Sequence, residues 1–134
     1  MVSEAVKHQA LLLNVEHRYY GDSYPTADSS TSNLQFLSSE QALADLARII
    51  SFVKDEYETP NSKVISWGGS YPGCLSAWFR LKYSSIAVGA IASSAPVRAV
   101  LDMSSYMEVV GAFSTAGRHA VRATLTPIRS VSYR

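Results

Sequence analysis

Val64-Ile65-Ser66-Trp67-Gly68-Gly69-Ser70-Tyr71-Pro72-Gly73 is the stretch on which the fold turns. Val64 to Trp67 suit a short buried strand, and they run without a spacer into two glycines and a serine. A helix is predicted from about Pro72 to Tyr83. Proline fits its first turn, where an amide would have no intrahelical acceptor anyway. A serine flanked by small residues between a strand and a helix has the layout of a nucleophile elbow. Ser70 is expected on a tight turn with its hydroxyl above the sheet. Gly68 and Gly69 would let the backbone bend without a Cβ clash, and the new helix would aim its free amides at the site. The Tyr71 amide is the expected oxyanion donor, a role typically worth ~100- to 1000-fold in turnover. The strict G-x-S-x-G spacing is not met: Pro72 stands where the second glycine belongs, and Gly73 follows one residue later.

Two other readings fit the same stretch. Ser70 could be a plain helix-capping serine in a glycine-rich turn. Alternatively, Gly68, Ser70 and Gly73 approximate the G-x-G-x-x-G dinucleotide fingerprint. Against the latter, Ser70 hinders the backbone's approach to a pyrophosphate, and Ser93-Ser94 stand where the acidic ribose ligand belongs.

Working outward, Ile86 to Ala92 is small and apolar and reads as a buried strand ending at Ser93-Ser94-Ala95-Pro96. Upstream, Ser38 with Gln41 matches a capping box. Leu43, Leu46, Ala47, Ile50, Val53 and Tyr57 then form one apolar stripe, and Thr59-Pro60-Asn61 stops the helix. Leu11 to Val15 reads as a further buried strand ending at Glu16-His17-Arg18. Gly21 to Ser32, mostly Gly, Asp, Ser, Thr and Pro, reads as an irregular connection. The order strand, helix, strand, helix, strand predicts an α/β fold with parallel strands, crossover helices and cover on both faces of the sheet. Polar or small residues mark all three strand ends, where ligands of such sheets gather. His17 has the chemistry of a catalytic base, but between Glu and Arg at a strand end it reads rather as a hydrogen-bonded structural residue, with Glu16 and Arg18 bracing the loop as a charge pair.

Composition narrows the classes. The chain has 134 residues, 47% of them hydrophobic and 17% charged, which is one globular domain's worth and excludes a disordered or collagen-like chain. A net charge of +1 gives no reason to expect nucleic acid or an anionic membrane as partner. Cys74 is the single cysteine, which excludes an internal disulfide and argues for a buried thiol and no metal cluster. No apolar run approaches the ~20 residues of a membrane span, and the chain reads as soluble and untargeted. Residues 111–134 hold Arg118, Arg122, Arg129 and Arg134 without Asp or Glu, and read as a poorly ordered basic tail following a 1–110 core.

Glu16-His17-Arg18-Tyr19-Tyr20-Gly21, Leu37 to Asp45, Gly68 to Gly73 and Ala92 to Val97 together resemble the serine carboxypeptidase family of lysosomal Pro-Xaa carboxypeptidase, dipeptidyl peptidase II and thymus-specific serine protease. The resemblance covers residues 4–110, and Val97 to Asp102 look most similar to the thymus-specific branch. It implies a partial α/β-hydrolase core. It also implies a serine exopeptidase of the carboxypeptidase or dipeptidyl-peptidase type, with Ser70 as acyl-enzyme nucleophile and the Tyr71 amide in the oxyanion hole. The implied partner is a peptide substrate, the implied place lysosomal or secreted, and no cofactor is implied. Neither Asp102 nor His119 matches the family's acid or base, so neither is assigned those roles. In the family's strand order the strand ending at Glu16 is the fourth and the one ending at Trp67 the fifth, with the third lying between them. By that resemblance the chain is expected to begin after the third strand. Two strands built for a shared neighbour should therefore be poorly stable, pair with each other or drive self-association. The expectation is a partial peptidase of little or no activity; the alternative is a non-catalytic peptide-binding protein that keeps the sheet.

Overall fold

A computed structural model describes residues 2–124, with side chains through residue 115. The arginines and His119 of the expected basic tail therefore lie outside the described side chains. Among the described residues, 2–97 belong to one unit and 98–124 to a second.

The centre of the first unit is a β-α-β crossover. Strand β1 (Val64–Gly69) pairs in parallel with strand β2 (Ala87–Ser93), and α3 (Ser70–Lys82) connects them. The ladder runs from Val64 opposite Ala87 to Gly69 opposite Ser93, with one irregularity between Val64 and Ile65. Helix α2 (Ser39–Glu56) packs beside α3. Its start is set by Ser38, whose side-chain oxygen accepts from the Gln41 amide at 3.2 Å. That is one half of the expected capping box; the Ser38 amide goes instead to the Phe36 carbonyl. The stripe of α2 buries Leu43, Ala47 and Ile50 against Phe79 of α3 and Ala87 of β2, with Leu46, Val64, Leu75, Trp78, Tyr83 and Ile86 around them. Phe79 and Ala87 are fully buried. Cys74 is a buried free thiol, as its isolation in the sequence suggested. Across the crossover, Ser76 Oγ donates to Ser66 Oγ at 2.8 Å, and Ser66 Oγ donates to the Ser76 carbonyl at 3.2 Å, pinning β1 to α3.

Two expectations are corrected. Leu11 to Val15 forms no strand: it has no ladder partner, and Leu11 is 60% exposed. An apolar run becomes a strand only where another strand satisfies its amides and carbonyls. Nor is the sheet covered on both faces. Val64, Ser66 and Gly68 face the helices, while Ile65 and Trp67 alternate outward and remain 62% and 45% exposed. The connection over Gly21–Ser32 is irregular as expected until its last two residues, which enter a 3-10 helix at Thr31–Phe36; the buried Tyr19 hydroxyl donates to the Asn33 carbonyl at 2.6 Å. A short α1 (Val2–Lys7) precedes it in the first unit. In the second unit, α4 (Ser104–Thr124) runs through the boundary expected at residue 110.

Candidate active site

Ser70 lies at the junction of β1 and α3 with φ of +57°. A non-glycine residue in the left-handed region costs roughly 1–2 kcal/mol. Such strain persists only where the surroundings over-determine the backbone, and here the strand and helix fix both sides. The residue is exposed, at the end of β1.

The glycines divide by geometry. A Cβ on Gly68 would lie 2.1 Å from the Pro72 carbonyl oxygen and 2.7 Å from the Gly73 nitrogen, so the bend closes on Gly68 too tightly for any side chain. A Cβ on Gly73 would meet Ala95 Cβ at 3.0 Å and the carbonyl oxygens of Gly68 and Ser93 at 3.1 Å. This close approach of α3 to both strands explains why a glycine at 73 works although the short motif wants one at 72. Gly69 differs: it is extended, with φ of −119°, and a Cβ there would make only an ordinary contact with the Ser93 oxygen at 3.8 Å. The strain of the turn sits on Ser70 itself, not on Gly69. Pro72 falls in the first turn, as expected, and the Tyr71 amide in that turn has no intrahelical acceptor by position.

Tyr71 reaches sideways to two other segments. Its hydroxyl lies 3.2 Å from His17 Nε2 and 3.0 Å from Ser39 Oγ in the first turn of α2. His17 Nδ1 lies 2.8 Å from the Arg18 carbonyl, so both ring nitrogens are engaged, which is the structural role expected of it. The expected Glu16–Arg18 pair is replaced by separate braces. Glu16 accepts from Ser23 Oγ at 2.6 Å and from the Asp22 amide at 3.1 Å. Arg18 makes two 2.6 Å hydrogen bonds to Asp45 on α2. The planar fork of arginine matches the two oxygens of a carboxylate, which Asp45 supplies here. The Arg18 hydrogen bond holds the Asp45 carboxyl below its usual range, and Asp45 in turn holds the guanidinium above its own. The signal for this pair was present in an arginine inside the loop motif and an aspartate on α2, but the sequence does not say which acid meets which base.

Among the described residues no group of His, Cys, Asp and Glu is placed to hold a metal ion. No helix among them is long and apolar enough to cross a membrane.

The family model for serine carboxypeptidase S28 matches residues 1–128. Human lysosomal Pro-X carboxypeptidase is 50% identical over 100 residues, which are 72% of this chain and 20% of that protein. The bovine lysosomal Pro-X carboxypeptidase is 50% identical over 97 residues, 69% of this chain and 19% of the relative. A prolyl carboxypeptidase-like protein of Caenorhabditis elegans is 50% identical over 94 residues, 66% of this chain and 18% of the relative. The chain thus spans about a fifth of the length of the curated relatives it matches.

Proposed function

This chain belongs to the serine carboxypeptidase S28 family, and from that premise we propose that it carries the nucleophile-bearing part of a serine peptidase, with Ser70 as the residue that is acylated. The observation that carries the proposal is the left-handed backbone of Ser70 at the strand-to-helix junction, closed by Gly68. Such a turn lifts the hydroxyl clear of the sheet and sets it beside the unbonded amides of a helix start. In the reaction proposed, Ser70 Oγ attacks the scissile carbonyl carbon and gives its proton to a base. The Tyr71 amide donates to the oxygen as it gains negative charge. The carbon–nitrogen bond then breaks, the protonated amine leaves, and water hydrolyses the ester on Ser70.

The names of the human and bovine relatives support peptides of the Pro-X type as substrates and a lysosomal location. His17 is not offered as the base, because its two nitrogens are held by Arg18 and Tyr71. No described side chain hydrogen-bonds to Ser70 Oγ, and a serine hydroxyl without a base is a poor nucleophile near neutral pH, so the chain by itself is proposed to be weakly active or inactive. Prolonged incubation with a fluorophosphonate followed by peptide mass mapping tests the assignment. A slow adduct on Ser70, lost in Ser70→Ala, is expected. An adduct confined to another residue would remove Ser70 as nucleophile, and rapid stoichiometric labelling would refute the weak activity.

A further inference from the structure

The elbow is gripped from outside by side chains that the proposed reaction does not use. Tyr71 OH, His17 Nε2 and Ser39 Oγ bring together the loop after residue 16, the first turn of α2 and the first turn of α3. The partners of Tyr71 are 54 and 32 residues away in sequence, so this contact is made only by the fold. Its direction follows from chemistry. A carbonyl oxygen can only accept, so His17 Nδ1, 2.8 Å from the Arg18 carbonyl, carries the proton of the neutral ring. Nε2 is then an acceptor, the Tyr71 hydroxyl donates to it, and the Ser39 hydroxyl donates to Tyr71. The imidazole is further fixed edge-on against Tyr20, with ring centroids 5.0 Å apart. Behind it, the Arg18 side chain is tied to α2 through Asp45.

We infer that His17 and Ser39 are positioning residues: through the phenol of Tyr71 they hold the Ser70–Tyr71 peptide unit, and with it the amide that would face the oxyanion. The catalytic meaning of this clamp rests on the peptidase reading above; its mechanical meaning does not. The hydrogen bonds are open to water, so their contribution is to orientation more than to global stability. A residue at φ of +57° sits in a narrow well, and a fixed side chain on its neighbour removes the freedom to leave it.

Nuclear magnetic resonance on the isotope-labelled chain tests the clamp. In the unsubstituted chain the neutral His17 ring is expected as the Nδ1–H tautomer. Backbone order parameters at Ser70 and Tyr71 are expected near ~0.85 and to fall to about 0.6 in Tyr71→Phe and in Ser39→Ala. Ser39→Thr, which keeps the hydroxyl, should restore them. Leu43, Ile50 and Phe79 serve as core references that show whether a variant is folded. An Nε2–H tautomer, or order parameters at Ser70 and Tyr71 unchanged in both variants, would overturn the clamp. Fluorophosphonate labelling of the same samples separates the two ideas. Loosened amides with an adduct confined to another residue remove the peptidase reading and keep the clamp, whereas an adduct on Ser70 with unmoved amides does the reverse.

Discussion

At the scale of single residues, the bend separates glycines that look alike in the sequence. Gly68→Ala puts a methyl group into the Pro72 carbonyl, and backbone cannot yield as a flexible side chain can. A loss of at least about 2 kcal/mol is expected from the urea midpoint. Gly69→Ala places its methyl in ordinary contact at a compatible φ, and stability should stay within about 0.5 kcal/mol of the original or rise slightly. Equal effects at the two positions would contradict the geometry. Ser70→Gly should relieve the left-handed strain and raise stability by roughly 0.5–1 kcal/mol while abolishing labelling by fluorophosphonate. That strain marks Ser70 as a position held for something other than stability. The motif of two glycines and a serine was legible, but which glycine the turn requires depends on how closely Pro72 folds back over residue 68.

At the scale of elements, helix α2 and the crossover follow from local chemistry. The predicted ranges for α2, α3 and both strands differ from the observed ones by at most two residues at each end, because caps, prolines and apolar spacing act over a few residues. Ser38→Ala should cost about 1 kcal/mol, read from the unfolding midpoint, through loss of the cap on the Gln41 amide. The link between α2 and the loop carries a pH signature. Arg18 holds the Asp45 carboxyl below its usual range, so the folded state binds this proton less readily than the unfolded one. The stabilisation is therefore present above the unfolded value, about 3.9, and is lost as pH falls through the depressed folded value. Urea midpoints of the original chain should fall more steeply below about pH 4 than those of Asp45→Asn. Parallel curves would show that the ion pair contributes nothing there. Leu11 to Val15 had the composition of a strand and is not one, since a strand is a property of two segments and composition describes only one.

At the scale of the whole molecule, the first unit has one core, between α2, α3 and the inner face of the sheet. Ile65 and Trp67 on the outer face, like Leu11 to Leu13 upstream, stay in contact with water. The isolated chain should therefore bind a hydrophobic dye, and Trp67→Lys should weaken that binding and raise solubility while leaving helical circular dichroism unchanged. Undiminished dye binding in Trp67→Lys would locate the exposed apolar surface elsewhere.

The sequence by itself determined the β-α-β order, the placement of Ser70 between strand and helix, and the family, because each of these is written in short-range spacing and in motifs a few residues long. Only the tertiary structure decided that Gly68 rather than Gly69 closes the bend, that Arg18 meets Asp45, that Tyr71 is gripped by His17 and Ser39, and that one apolar run finds no strand partner. Those outcomes depend on which distant segments the packing brings within a few ångströms, and pairing at that range leaves no periodic trace in the chain.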